Sequence, residues 1–83
     1  MHYVILFDWA VDNGEVANGI EIVAVVHTLE EAKEIFAEKV VDEKEYAEEN
    51  GYKIFTDTDT EFDAGEEGYY AAEHAHFWIQ EVN

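Results

Sequence analysis

The segment 28–51, TLEEAKEIFAEKVVDEKEYAEENG, decides the fold because it is the one long helical pattern between segments rich in strand-forming residues. Thr28 and Glu31 form a capping box at its start, and Asn50-Gly51 supplies the left-handed residue that ends many helices. The sequence therefore predicts one amphipathic helix with a buried stripe. On a helical wheel, that stripe consists of Leu29, Ala32, Phe36, Val40 and Ala47.

The opposite side of this helix carries carboxylates without matching lysines. Surface acids on helices are commonly offset by a lysine four residues later, and no such pair occurs here. Each like-charged i, i+4 pair destabilises the helix by about 0.2–0.5 kcal/mol. This cost favours a functional role for the set, which we call the acidic ridge. It consists of Glu30, Glu31, Glu34, Glu38, Asp42, Glu45, Glu48 and Glu49.

The charge of the whole chain narrows the class of partner. Four lysines, no arginine and 21 acidic residues give a net charge of −17. Such a chain repels nucleic acids and anionic membranes and attracts basic proteins. Because 48% of the residues are hydrophobic, we expect a folded domain rather than a disordered acidic chain.

Length and composition also limit the function class. The 83 residues predict one small domain, 1–83, and the absence of cysteine excludes disulfides and thiol catalysis. No basic leader and no apolar run of membrane-spanning length occur, so we expect a cytoplasmic protein without membrane contact. No catalytic or phosphate-binding motif occurs either, which favours a non-enzymatic protein without a cofactor.

Strand patterns flank the helix on both sides. Segments 2–10 and 20–27 are rich in β-branched and aromatic residues, and two Asn-Gly pairs between them predict a hairpin. We expect its tip, 12–15, to be mobile. Segments 52–64 and 69–82 predict two further strands. The prediction is an α+β fold of ββαββ order, a four-stranded, mainly antiparallel sheet with the helix across one face.

A second group of acids lies in the predicted strand 52–64. Because side chains alternate along a strand, its four acids would point the same way, about 6.5–7 Å apart. They form either a solvated strand face or a second line of charge beside the acidic ridge. These residues are Asp57, Asp59, Glu61 and Asp63.

One helix covers only one sheet face, yet both sides of the first strand are apolar. The uncovered face predicts homodimerisation through aromatic residues, unless loops or a short helix at 65–72 cover it. The residues expected at that interface are Tyr3, Phe7, Trp9 and Trp78.

His74 and His76 point to the same side of the last predicted strand. With a carboxylate, His2 or His27 as a third ligand, they could bind zinc. Histidines beside aromatic residues more commonly serve packing or remain at the surface. We therefore expect no metal, and treat a site at His74 and His76 as the weaker alternative.

In size, charge and α+β composition, the whole chain resembles the small acidic anti-CRISPR and anti-restriction proteins of phages and mobile elements. Several of these mimic nucleic acids. The resemblance implies an inhibitor in the host-cell cytoplasm that binds a basic nucleic-acid-binding protein, such as a CRISPR or restriction effector. The alternatives are a structural or regulatory homodimer module and an acidic surface that serves solubility or salt adaptation.

Overall fold

The structure is a computed structural model that describes residues 1–12, 16–67 and 73–83. In these ranges one helix packs on a five-stranded antiparallel sheet of order β2-β1-β5-β4-β3. The α+β class is therefore confirmed, with five strands where the sequence predicted four. The elements are β1 (His2–Asp12), β2 (Val16–Val26), α1 (Leu29–Glu49), β3 (Lys53–Asp57), β4 (Glu61–Gly65) and β5 (His74–Val82).

Both predicted ends of α1 are confirmed, but of the predicted capping box only the Thr28 half forms among the described residues. The Thr28 hydroxyl accepts a hydrogen bond from the backbone N–H of Glu31 at 3.1 Å, which satisfies one free donor of the first turn. At the other end, Gly51 adopts a φ of +70°, the left-handed conformation that residues with side chains rarely adopt. The amide of Tyr52 then donates to the carbonyl of Ala47 at 2.9 Å and closes the helix.

The buried stripe of α1 is the centre of the core. Phe36 from the helix and Ile5 and Phe62 from the sheet are almost completely buried. Burial of each such side chain contributes about 1.5–3 kcal/mol. Leu29 is 38% exposed, so the stripe begins at Ala32. The core residues of the helix are Ala32, Phe36, Val40 and Ala47.

The predicted strand 52–64 is wrong, because it folds as the β3–β4 hairpin. Its turn depends on Thr58. The amide of Thr58 donates to the carbonyl of Glu61 at 2.8 Å, and its hydroxyl accepts from the amide of Glu61 at 3.0 Å. A threonine side chain that satisfies backbone groups in this way stabilises a turn without Gly, Pro or Asn.

The β1–β2 hairpin has longer strands than the sequence predicted. Asn18 and Gly19 lie within β2, and Gly19 pairs with Trp9. A Cβ on Gly19 would be 2.9 Å from Cζ2 of Trp9, so this glycine permits close packing of the indole. Of the tip expected to be mobile, residues 13–15 lie outside the described residues, as do residues 68–72 of the helix considered at 65–72.

The sheet has one face against α1 and one face directed away from it, which we call the open face. Ile5 and Phe7 pair with Ile79 and Phe77 on the helix side. Because side chains alternate along a strand, the intervening residues project from the other side. The open face of the two central strands carries Val4, Leu6, Asp8, His74, His76, Trp78 and Gln80.

Candidate functional site

The acidic ridge is exposed along its whole length. Within the described part of the chain, none of its side chains forms an ion pair or a hydrogen bond. The buried stripe fixes the orientation of the ridge, because the core residues of α1 lie on the opposite side. The ridge is therefore a rigid, uncompensated line of negative charge.

Three of the four lysines form ion pairs outside the acidic ridge. Lys33 Nζ lies 3.1 Å from Asp59 Oδ2, and Lys44 Nζ lies 2.8 Å from Asp57 Oδ2. Lys53 forms a third pair, at 3.3 Å, with Glu67. Exposed pairs of this kind contribute about 0–1 kcal/mol each. Their larger consequence is a charge distribution in which the turn of the β3–β4 hairpin is partly neutralised and the ridge is not.

The predicted second line of charge beside the ridge is wrong. Asp57 and Asp59 are paired with helix lysines, whereas Glu61 Oε2 lies 2.7 Å from Nε2 of His76 on the open face. Asp63 pairs with His76 in the β4–β5 register. The turn at 58–60 reverses the chain between the two halves, so the four acids do not share one strand or one direction.

The four aromatic residues expected at a dimer interface do not share a face. Tyr3 and Phe7 pack against the core under α1, and the Phe7 ring stacks on Phe77 with 4.0 Å between centroids. Trp9 lies on the same side of β1. Trp78 pairs with Leu6 on the open face. The prediction of one aromatic surface is wrong, because the three β1 residues project toward α1 and Trp78 projects from the open face.

The open face instead exposes aliphatic residues of the edge strand β2. Ile20, Ile22 and Val25 are 68%, 67% and 56% exposed. Ile22 pairs with Leu6, which itself pairs with Trp78, so the apolar surface continues across three strands. Sequence analysis missed this patch because it assigned no faces to the second strand.

The two histidines of β5 have separate carboxylate partners. His74 Nε2 lies 3.3 Å from Asp8 Oδ1, and His76 pairs with Glu61 and stacks on Trp78. His2 lies near the opposite end of β1, about 27 Å from the position paired with His74. The expectation of His2 as a third ligand is therefore wrong, and the same holds for His27, whose ring is tilted against that of His2 with 4.9 Å between centroids. In the described ranges no three potential ligands are grouped.

A cleft of about 260 Å³ lies between the sheet and the C-terminal half of α1. Phe7 and Trp9 come from β1, and Glu21 comes from the β2 position paired with Phe7. Tyr46 and Tyr52 meet edge to face, with 5.7 Å between their ring centroids. We call this site the aromatic cleft. Its lining residues are Phe7, Trp9, Ala10, Val11, Glu21, Glu43, Tyr46, Tyr52 and His74.

Glu43 is an acid at a position where the helix pattern calls for an apolar residue. It continues the stripe of Phe36 and Val40 at i+7 and i+3, and its half-buried side chain lines the aromatic cleft. Burial raises the pKa of this carboxyl, and the charge of Asp42 raises it further. Sequence analysis missed Glu43, although an acid on a buried stripe was a detectable signal.

Tyr52 is held in place from two sides. Its hydroxyl donates a hydrogen bond to Glu73, and its ring contacts Tyr46. Burial, followed by the hydrogen bond to Glu73, raises the pKa of the Tyr52 hydroxyl, which therefore stays protonated at neutral pH. Tyr52 is thus a neutral hydrogen-bond donor and a fixed wall of the cleft.

Comparison with known proteins assigns no identity to these sites. No family model, curated protein or solved structure matches the chain. The helix that carries the ridge lacks the continuous apolar length needed to cross a bilayer, as does every helix among the described residues. The acidic ridge, the open face and the aromatic cleft are the surfaces from which a function can be argued.

Proposed function

We propose that the protein is a non-enzymatic inhibitor that places the acidic ridge against the nucleic-acid-binding surface of a basic protein. The observation that supports this function is that the ridge acids have no positive partner in the described ranges, while three lysines pair with acids elsewhere. The residues proposed to contact the target are Glu30, Glu31, Glu34, Glu38, Asp42, Glu45 and Glu49.

The spacing of the ridge supports mimicry of a phosphate backbone. At 1.5 Å per residue, the ridge from Glu30 to Glu49 is about 28 Å long and offers about one carboxylate per 4 Å. A nucleic-acid strand presents about one phosphate per 3.4 Å. Lysines and arginines arranged for phosphates would therefore find anionic groups at a similar density, on a scaffold that offers no scissile phosphodiester.

The charge of the whole chain supports rapid, salt-sensitive association. A net charge of −17 steers the protein toward a basic surface, and this attraction is screened beyond about 8–10 Å at physiological ionic strength. The protein itself should not bind nucleic acid. We place its target among host-cell defence effectors, such as CRISPR or restriction enzymes, and its site of action in the host-cell cytoplasm.

The test is competition for a nucleic-acid-binding surface. Labelled duplex DNA is bound to each member of a panel of restriction and CRISPR effectors, and its release by the protein is followed by fluorescence anisotropy. The ridge variant carries Glu34→Lys and Glu38→Lys. The matched variant carries Glu67→Lys and Glu81→Lys, which change the net charge equally and leave the ridge intact.

For a true target, the wild-type and matched proteins should release the DNA at 50 mM salt, and the ridge variant should require at least tenfold more protein. Release should weaken steeply by 500 mM salt. Equal potency of the ridge and matched variants would reject the ridge as the contact surface. If the protein displaces DNA from no effector of the panel, the proposed function is rejected.

A second candidate is a homodimer module that pairs through the open face, favoured by the exposure of Ile20, Ile22 and Val25. Sedimentation of the wild type and of Ile22→Asp tests it. Val41→Asp is the control, because Val41 is 59% exposed on α1. A dimer lost only in Ile22→Asp supports this candidate, and a monomeric wild type at high concentration removes it.

A further inference from the structure

The aromatic cleft has the lining that organic cations prefer. Its lining combines four aromatic rings with the carboxylates of Glu21 and Glu43 and with His74, whose Nε2 lies 3.3 Å from Asp8 Oδ1. The faces of aromatic rings are electron-rich and attract cations. We propose that the aromatic cleft binds the guanidinium group of an arginine side chain presented by the partner protein.

The walls of the cleft are held in place by contacts within the protein. Phe7 is fixed by stacking on Phe77, and the indole of Trp9 packs against Gly19. Tyr52 is fixed by its hydrogen bond to Glu73. A preorganised site loses little side-chain entropy when a ligand binds. The contacts between ligand and cleft therefore contribute to affinity and are not offset by the cost of ordering the cleft.

The two carboxylates select for a positive ligand. Neither Glu21 nor Glu43 has an ion-pair or hydrogen-bond partner among the described residues. A neutral ligand would bury Glu43 further without compensation, and an anion would be repelled. A hard metal ion prefers six or more oxygen ligands, which a lining dominated by aromatic carbon does not supply.

The size of the cleft favours a side chain over a larger molecule. Its volume of about 260 Å³ is below the roughly 300–1,000 Å³ of sites for drug-sized ligands. A guanidinium is planar, stacks on aromatic rings and forms paired hydrogen bonds with a carboxylate, so arginine fits this lining better than lysine. This chain contains no arginine, so a second copy cannot supply the group.

The cleft adjoins the acidic ridge. Tyr46, which lines the cleft, follows Asp42 by four residues and therefore lies beside it on the helix surface, so a target on the ridge could insert an arginine there. The source of the arginine therefore rests on the proposed function, whereas the chemistry of the cleft does not. A probe peptide can test the cleft without the target.

The experiment measures binding of the blocked peptide acetyl-Gly-Arg-Gly-amide by fluorescence of Trp9. The background substitution Trp78→Phe leaves Trp9 as the one tryptophan, since the chain has two. The citrulline peptide is the neutral control of similar shape, and the lysine peptide tests the guanidinium. Glu43→Gln removes the half-buried carboxylate, Tyr46→Leu removes one ring, and Glu34→Gln removes an equal charge from the ridge.

We expect saturable binding of the arginine peptide, at least tenfold weaker binding of the citrulline peptide and severalfold weaker binding of the lysine peptide. Glu43→Gln and Tyr46→Leu should each weaken binding at least fivefold. Glu34→Gln should change it less than twofold at 150 mM salt, because Glu34 lies about 13 Å along the helix from Glu43.

Absence of saturable binding, equal affinity for the citrulline peptide, or equal effects of Glu43→Gln and Glu34→Gln would overturn the proposal. The outcome is separable from the competition assay. Loss of DNA displacement in the ridge variant with no peptide binding rejects only the cleft. Specific peptide binding with no displacement from any effector rejects only the proposed function.

Discussion

Replacement of Glu38 by lysine should stabilise the folded protein while weakening its binding to a basic target. Glu38 lies in the middle of the acidic ridge, and its neighbours at i−4 and i+4 are Glu34 and Asp42. All three side chains are exposed and lack ion pairs within the described residues. A residue selected for stability alone would not be an acid at this position.

The size of the effect follows from the two neighbouring pairs. Each like-charged pair destabilises by about 0.2–0.5 kcal/mol, and each opposite pair stabilises by a similar amount. Glu38→Lys replaces two repulsive pairs with two attractive ones. If both new pairs were fully favourable, the free energy of unfolding would rise by about 0.8–2 kcal/mol. One of the two new pairs has the less favourable order along the helix, which makes about 1 kcal/mol the expected gain. For a domain of this length, 1 kcal/mol raises Tm by about 4–8 °C.

Thermal and urea unfolding at 20 mM and 1 M NaCl measure this gain. Glu38→Gln should give about half of it, because it removes repulsion without adding attraction. Asp57→Asn is the contrasting control, since it removes the partner of Lys44. That change should destabilise by about 0–1 kcal/mol instead.

The reasoning depends on the sign and salt dependence of the change. If Glu38→Lys lowers Tm at 20 mM NaCl, the ridge carboxylates do not repel one another as the geometry implies. If the stabilisation by Glu38→Lys is undiminished at 1 M NaCl, it comes from helix propensity and not from charge. If the Glu38→Lys protein is more stable and still displaces DNA as well as the wild type, the ridge is not needed for the proposed function.

Three further predictions concern the core and the cleft. Because the pKa of Glu43 is raised in the fold, its ionised form destabilises the protein, so Glu43→Gln should raise stability in urea unfolding at pH 7 and lose this advantage below about pH 4. Phe36→Ala should cost about 3–5 kcal/mol in the same assay, and a loss below about 1 kcal/mol would contradict the assigned core. Gly19→Ala forces Trp9 to shift, so it should cost about 1–3 kcal/mol and alter Trp9 emission, whereas unchanged emission would contradict the packing.

The sequence predicted the helix well because several local signals agree. The apolar spacing, the Thr28 cap and Gly51 act within a few residues, so no tertiary contact is needed to detect them. The β3–β4 hairpin was missed because the alternation from Asp57 to Asp63 is the same for one strand and for two strands with a short turn. Only the hydrogen bonds of Thr58 distinguish these cases.

The exposure of the acidic ridge was predictable from the helical wheel, but the ion pairs between lysines and acids outside the ridge were not. The pairs Lys33–Asp59 and Lys44–Asp57 join residues from different elements, so sequence spacing does not reveal them. The aromatic cleft was unpredictable for the same reason, because its lining combines residues of β1, β2, α1 and β5 with Tyr52. Of its members, Glu43 alone carried a local signal.

The central position of β1 and β5 has a consequence for how the protein is made. His2 pairs with Val82, so the middle of the sheet joins segments from opposite ends of the chain. Contacts so distant in sequence slow folding relative to a helical domain of equal length. During synthesis, β1 is made before β5, so the edge of β1 that pairs with β5 remains unpaired until β5 follows. We expect nascent chains that stall before β5 to be captured by chaperones.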